Sequence, residues 1–201
     1  MSDVARELYG DQFGSIERYV DILAGRGIEW GLIGPREADR LWDRHILNSV
    51  APSELIADGS TVADIGSGAG LPGIPLALLR PDLEITLVEP LLRRFTFLTQ
   101  AVDELGITDR VTVVRSRAEQ HRGRYDVVLS RAVAPLERLV VWCAPLRAAD
   151  GMILAIKGSS AADEVRNASS RLRAAGLRAA LLTARASATS EPTTVVRITA
   201  A

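Results

Sequence analysis

The chain opens with residues spaced as one face of a helix. Phe13, Ile16, Tyr19, Val20 and Leu23 recur at intervals of one or three, and Gly25 and Gly27 are expected to end the run. Gly31 to Pro35 reads as a loop. Pro35 starts a second predicted helix, with Ala38, Leu41, Trp42, His45, Ile46 and Ser49 sharing the packed face. Arg36, Arg40 and Arg44 fall on the opposite face, which predicts a solvated stripe, with RNA contact as the alternative. From Thr61 the pattern changes. Apolar runs at 61–65, 84–88, 111–115, 125–130, 151–156, 177–183 and 193–199 predict seven strands, with helical spacing between most of them. The clearest intervening helix is 91–105, where Leu91, Leu92, Phe95, Leu98 and Val102 repeat. Such alternation implies an α/β fold, a doubly wound and mostly parallel sheet. The short linker 184–192 predicts that the last strand enters antiparallel. Residues 1–55 are expected to form a helical extension packed on a core domain, 56–201.

The chemistry gathers where strands end. The first strand runs into Asp64-Ile65-Gly66-Ser67-Gly68-Ala69-Gly70-Leu71-Pro72-Gly73, a glycine turn that opens into a helix and suits a nucleotide-like ligand. Gly68-x-Gly70-x-x-Gly73 matches the dinucleotide fingerprint. Against NAD stands Asp64, whose charge would repel a pyrophosphate and attract a cation. The second strand ends in Glu89, placed to accept two ribose hydroxyls. S-adenosyl-L-methionine carries an ammonium, a sulfonium and a ribose diol but no phosphate, so the two acids favour it.

At the third strand end, the backbone of Ala118 and the carboxylate of Glu119 suit an adenine edge; the same residues also read as a helix capping box, Ser116 to Glu119. The fourth ends in Arg131, beside the position of a transferred methyl. The fifth ends in Lys157-Gly158, with Lys157 either at the site or snorkelling from the sheet edge. His45 is read as a buried, hydrogen-bonded histidine, with a site-facing role as the alternative. No residue presents itself as a base for an exocyclic amine. Guanine N7 needs none, since its lone pair is free, and Arg131 or Lys157 would donate to O6 or to a phosphate.

Composition narrows the class. Of 201 residues 47% are hydrophobic and 24% charged, ordinary for a soluble domain. No apolar run approaches the ~20 residues of a membrane span, and the N-terminus lacks an apolar leader. A single cysteine, Cys143, and no zinc spacing point to a cytoplasmic, metal-free protein. A net charge of −1 supplies no global field toward nucleic acid. Lys157 is the only lysine, so the other cationic side chains are arginines, a bias ascribed mainly to genome composition.

Four blocks, in order, carry a resemblance: Leu41-Trp42-Asp43-Arg44-His45-Ile46-Leu47-Asn48-Ser49, Asp64 through Gly73-Ile74-Pro75, Ser130-Arg131-Ala132, and Ala155-Ile156-Lys157-Gly158. They resemble the RsmG (GidB) family. The resemblance implies a Rossmann-like class I S-adenosylmethionine-dependent methyltransferase fold. It also implies methyl transfer to N7 of one guanine in 16S rRNA near the decoding site, with S-adenosyl-L-homocysteine as product. Loss would bring low-level streptomycin resistance. The implied partner is 16S rRNA, in the small ribosomal subunit or an assembly intermediate, and the enzyme would act as a monomer. Carried over by position, Gly66, Leu71, Glu89, Ala118, Glu119 and Arg131 would hold the cofactor, beside Asp64, Gly68 and Gly70 as read from the loop itself. Arg117, Arg131 and Lys157 would face the RNA, and His45 belongs to the family's Arg-His-Ile-Leu segment. Two departures stand out: Asn48 where many members have Asp, and Gly31-Leu32-Ile33-Gly34 where many have Asn-Leu-Thr. The arginine-rich composition and Leu91-Leu92-Arg93-Arg94 look actinobacterial. The alternatives are a methyltransferase for another RNA or a small molecule, and a non-catalytic nucleotide-binding module.

Overall fold

The computed structural model describes residues 2–201. Seven strands form one sheet in the order β3-β2-β1-β4-β5-β7-β6. They are β1 (Thr61–Ile65), β2 (Glu84–Val88), β3 (Val111–Val114), β4 (Tyr125–Arg131), β5 (Arg147–Lys157), β6 (Leu177–Ala184) and β7 (Thr193–Ala200). The first five run parallel, while β7 pairs antiparallel with both β5 and β6. That is the predicted topology. β5 starts earlier than predicted, because Arg147 Nη1 binds the carbonyls of Ala148, Ala149 and Gly151 and shapes an irregular entry to the strand.

Helices cover both faces. On one side lie α1 (Ser2–Tyr9), α2 (Phe13–Ile22), the short turn α3 (Asn48–Val50), α4 (Gly73–Leu79) and α5 (Leu92–Glu104); on the other, α6 (Leu136–Cys143) and α7 (Ala161–Ala174). Strand residues alternate between two apolar clusters, as a two-residue period demands. Val62, Leu87, Val127, Leu129 and Leu154 join the first; Ala63, Val88, Val128, Ile153 and Ala155 join the second. Ile16, Tyr19 and Leu23 of the helical extension lie in the same cluster as those sheet residues and are fully buried. The extension closes with a 3₁₀ turn, Ala51–Leu55, before β1.

The helical segments depart from the predicted winding. Gly25 and Gly27 do not end the first run. They sit in a π-helical turn, Leu23–Gly27, and helix continues through Glu29. The second helix is likewise a chain of tight and wide turns: 3₁₀ over Pro35–Arg40, π over Leu41–Leu47, then α3. A wider turn shifts which side chains share a face. Leu47 is accordingly buried, outside the predicted apolar stripe.

Tyr19 Oη donates to the carbonyl of Ala69 at 2.7 Å, and Tyr9 Oη to that of Pro75 at 3.1 Å. The extension thus braces the segment that follows β1. Because it shares one core with the sheet, Ile16→Ala is expected to cost ~2–5 kcal/mol and leave a single thermal transition. Two resolved transitions in calorimetry would show an independent extension.

Candidate active site

The loop after β1 is shaped by its glycines and by Asp64. Period-two alternation points Asp64 toward α4, where its Oδ2 accepts from the Gly73 N–H at 3.1 Å. Gly73 is required there, since a Cβ would lie 2.3 Å from Leu87 Cδ2 and 2.8 Å from Asp64 Oδ2. Ser67 Oγ donates to the Asp64 carbonyl at 2.9 Å. Asp64 Oδ1 is buried with no hydrogen-bond partner among the described residues. Burial drives the carboxyl pKa up to about 7, a rise that the Gly73 hydrogen bond and Arg131 partly offset. Asp64 therefore lies beneath the loop. Its charge acts across the loop, where the sequence had suggested direct contact with a ligand.

Glu89 is also buried, its Oε2 accepting from the Gly68 N–H at 3.1 Å and its Oε1 from the Leu91 N–H at 3.0 Å. Each oxygen keeps a lone pair. Leu91, just beyond, is 54% exposed and offers an apolar surface beside that carboxylate. Gly66 has φ +75°, and a Cβ there would stand 2.0 Å from Val133 Cγ2, so this glycine admits the loop after β4. The Leu71 side chain is buried in the first core, which leaves its backbone for any ligand contact. Gly70 has φ +97° and sits against Ile74 and Tyr19.

The third strand end differs from one expectation. Residues 118–120 form a turn, and no helix follows, so the capping box is not made; Ser116 Oγ donates to the Arg117 carbonyl. Ala118 packs on the second core while Glu119 and Arg117 are exposed. β3 is the sheet edge, so Arg117 does not meet Arg131 or Lys157.

Arg131 lies at the centre. It shares the parity of Val127 and Leu129 and so points at the helical extension. Its Nη1 donates to the His45 carbonyl at 3.1 Å and Ser49 Oγ at 3.0 Å; its Nη2 contacts His45 Nδ1 at 2.6 Å. A guanidinium only donates, so Nδ1 is the acceptor and the imidazole proton sits on Nε2. That proton goes to Glu37 Oε2, 3.0 Å away. Burial and then the Arg131 charge lower the His45 pKa, which keeps the ring neutral. His45 is thus a spacer between Glu37 and Arg131, with neither nitrogen free for substrate. Burial also lowers the Arg131 pKa.

Lys157 has the opposite parity, with Ile153 and Ala155, and points at α7. Its Nζ pairs with Glu164 Oε2 at 2.8 Å and donates to the Ala134 carbonyl at 2.5 Å, leaving the side chain 7% exposed. It is not the free RNA-facing cation that its place at a strand end suggested. Between Arg131, the loop Ala132–Pro135 and the end of β5 opens a cavity of about 730 Å³. Arg40 and Arg44 line its rim, where the sequence predicted a solvated stripe with RNA contact as the alternative. Asp43 and Asn48 line it too and were missed. Asp43 sits in the π-helical turn and Asn48 directly after it, a winding not visible in a periodicity of 100° per residue.

A sheet of this order, with a glycine loop after β1 and an acid after β2, defines a Rossmann-like class I methyltransferase. An O-methyltransferase of neocarzinostatin biosynthesis, solved with S-adenosylmethionine and 2-hydroxy-5-methyl naphthoic acid, superposes with a TM-score of 0.64 at 16% identity, over 83% of this chain and 55% of that one. A precorrin-6y C5,15-methyltransferase from Geobacter metallireducens gives 0.56 at 18%, over 84% and 90%. Residues 12–190 match the family described as GidB, rRNA small subunit methyltransferase G. Proteins named ribosomal RNA small subunit methyltransferase G are 54% identical in Streptomyces avermitilis (86% of this chain, 73% of the relative) and 51% in Renibacterium salmoninarum (98% and 94%). The chain belongs to this family.

The raised Asp64 pKa has a measurable consequence. The folded state holds the proton more tightly than the unfolded chain, so stability falls as pH rises from about 4 to about 7. Asp64→Asn is therefore expected to raise the melting temperature of the unliganded protein at pH 8, with the gain shrinking toward pH 4. Parallel curves across that range would contradict the burial argument.

Proposed function

We propose that the chain transfers the methyl group of S-adenosyl-L-methionine to N7 of a guanine in 16S rRNA. The observation that carries this reading is the placement of Arg131, between the glycine loop and the cavity, beside side chains already engaged elsewhere. Asp64, with its unpartnered buried oxygen, fits a ligand whose charge near the loop is positive. The lone pairs of Glu89 fit a ribose diol, and Leu91 with Ala118 fits a flat apolar ring. When bound, this cofactor supplies an electrophilic methyl on a sulfonium. The protein's task is then alignment and charge control.

His45 donates to Glu37 and accepts from Arg131, and Lys157 is paired with Glu164. Burial pushes the Cys143 thiol up to about 12. An acceptor that needs no deprotonation suits these surroundings, and N7 has its lone pair free. Arg131 lines the cavity, and three of its five N–H groups are spent on His45 and Ser49, which leaves two for guanine O6 or a phosphate. Arg40 and Arg44 at the rim suit the RNA backbone. Small ribosomal subunits or their precursors are the proposed substrate, and the cytoplasm the site of action.

Small subunits from a strain lacking the enzyme, incubated with labelled methyl donor, should gain label at a single 16S guanine N7. No incorporation into subunits or free 16S rRNA would overturn the assignment. Arg131→Lys keeps the charge but loses the fork, and should lower turnover by about tenfold or more with little change in donor affinity. A cationic ligand over Asp64 pulls its pKa down. Donor binding near pH 7 should therefore release protons, read by calorimetry in buffers of different ionisation enthalpy; proton uptake would contradict the placement.

A further inference from the structure

The loop Ala132–Pro135 is the wall between the glycine cradle and the cavity, and its shape is not one that its own residues favour. Ala132 has φ +52°, the one positive value at a non-glycine residue among those described. Such a conformation persists only where surrounding contacts determine it. On one side, Val133 is seated over Gly66. On the other, Lys157 Nζ holds the Ala134 carbonyl, and Glu164 Oε2 accepts from both Lys157 Nζ and the Leu136 N–H, each at 2.8 Å. Ser160 Oγ donates to Glu164 Oε1 at 2.9 Å and orients the carboxylate. Its pKa is lowered, the Lys157, Leu136 and Ser160 hydrogen bonds outweighing the opposing effect of burial.

One carboxylate on α7 thus ties the end of β5, the wall of the cavity and the first turn of α6 together. A phosphate at Lys157 would have to displace it. We propose that Glu164 is a positioning residue for methyl transfer: with Lys157 it clamps the Ala132–Pro135 wall at the height where donor and acceptor meet in line. The proposal rests on the reading given under Proposed function, and it assigns Lys157 to holding the wall rather than to binding RNA.

The clamp is tested with Glu164→Gln, Glu164→Ala, Lys157→Met and the double variant Lys157→Met/Glu164→Gln. Three quantities are read: the single-turnover methylation rate on small subunits, the affinity for S-adenosylhomocysteine, and amide exchange over residues 132–138. Glu164→Ala should slow methylation by about 30- to 100-fold, because a misplaced wall spoils alignment. Glu164→Gln keeps one acceptor for Leu136 and should lose about tenfold. Product affinity should stay within about threefold, and faster exchange should be confined to 132–138. The double variant should be no slower than the slower single one, since both changes remove one unit. A wild-type rate in Glu164→Ala would overturn the proposal. So would a Glu164→Gln protein in which product binding and exchange throughout the chain deteriorate in step with rate, because that is plain destabilisation. An inactive wild type would defeat the methyl-transfer reading instead; unchanged exchange at 132–138 would then defeat the clamp by itself.

Discussion

The active end of this molecule depends on one half-buried guanidinium. Arg131 leaves the sheet at the end of β4 and binds the His45 carbonyl, His45 Nδ1 and Ser49 Oγ, joining the helical extension to the sheet next to the glycine loop. A cation placed there needs negative surroundings. Asp64 supplies charge from below, and Glu37 supplies it through a neutral histidine. The arrangement explains why the extension exists at all: without it the guanidinium would lose its acceptors, and the cavity its rim.

Two acids shape the cofactor side without being spent as open ligands. Asp64 and Glu89 hold the backbone N–H groups of Gly73 and Gly68, which keeps the loop in its turn and places negative charge beneath it. A pyrophosphate over the same loop would face that charge, which the partly exposed Arg94, its Nη1 3.9 Å from Glu89 Oε2, offsets only in part. The preference for a cationic sulfur compound therefore comes from groups that also fold the loop, an economy that makes the two roles hard to separate by mutation.

Much of the sheet was legible in the chain because buried parallel strands read as short apolar runs between glycine and proline signals. Strands β1 and β2 match to the residue, and the antiparallel β7 followed from a linker with no room for a helix. The helical extension was less legible. Its π-helical turns place Leu47 in the core and Arg44 at the cavity, and nothing in a regular period announces them. The contrast between Arg131 and Lys157 was readable in part. Each ends a strand, yet Arg131 shares parity with Leu129 and Lys157 with Ala155, so they leave the sheet on opposite faces. What each side chain meets there, Ser49 in one case and Glu164 in the other, is set by tertiary packing and has no local signature.

Methyl transfer at this site depends on where the donor's sulfur lies. A crystal structure with S-adenosylhomocysteine tests this most directly. It should show the amino acid portion over residues 64–70, the ribose at Glu89, and the sulfur opening onto the cavity beside Arg131 and the Ala132–Pro135 wall. A ligand whose sulfur faces away from that cavity, or a phosphate-bearing nucleotide preferred over the same loop, would contradict it.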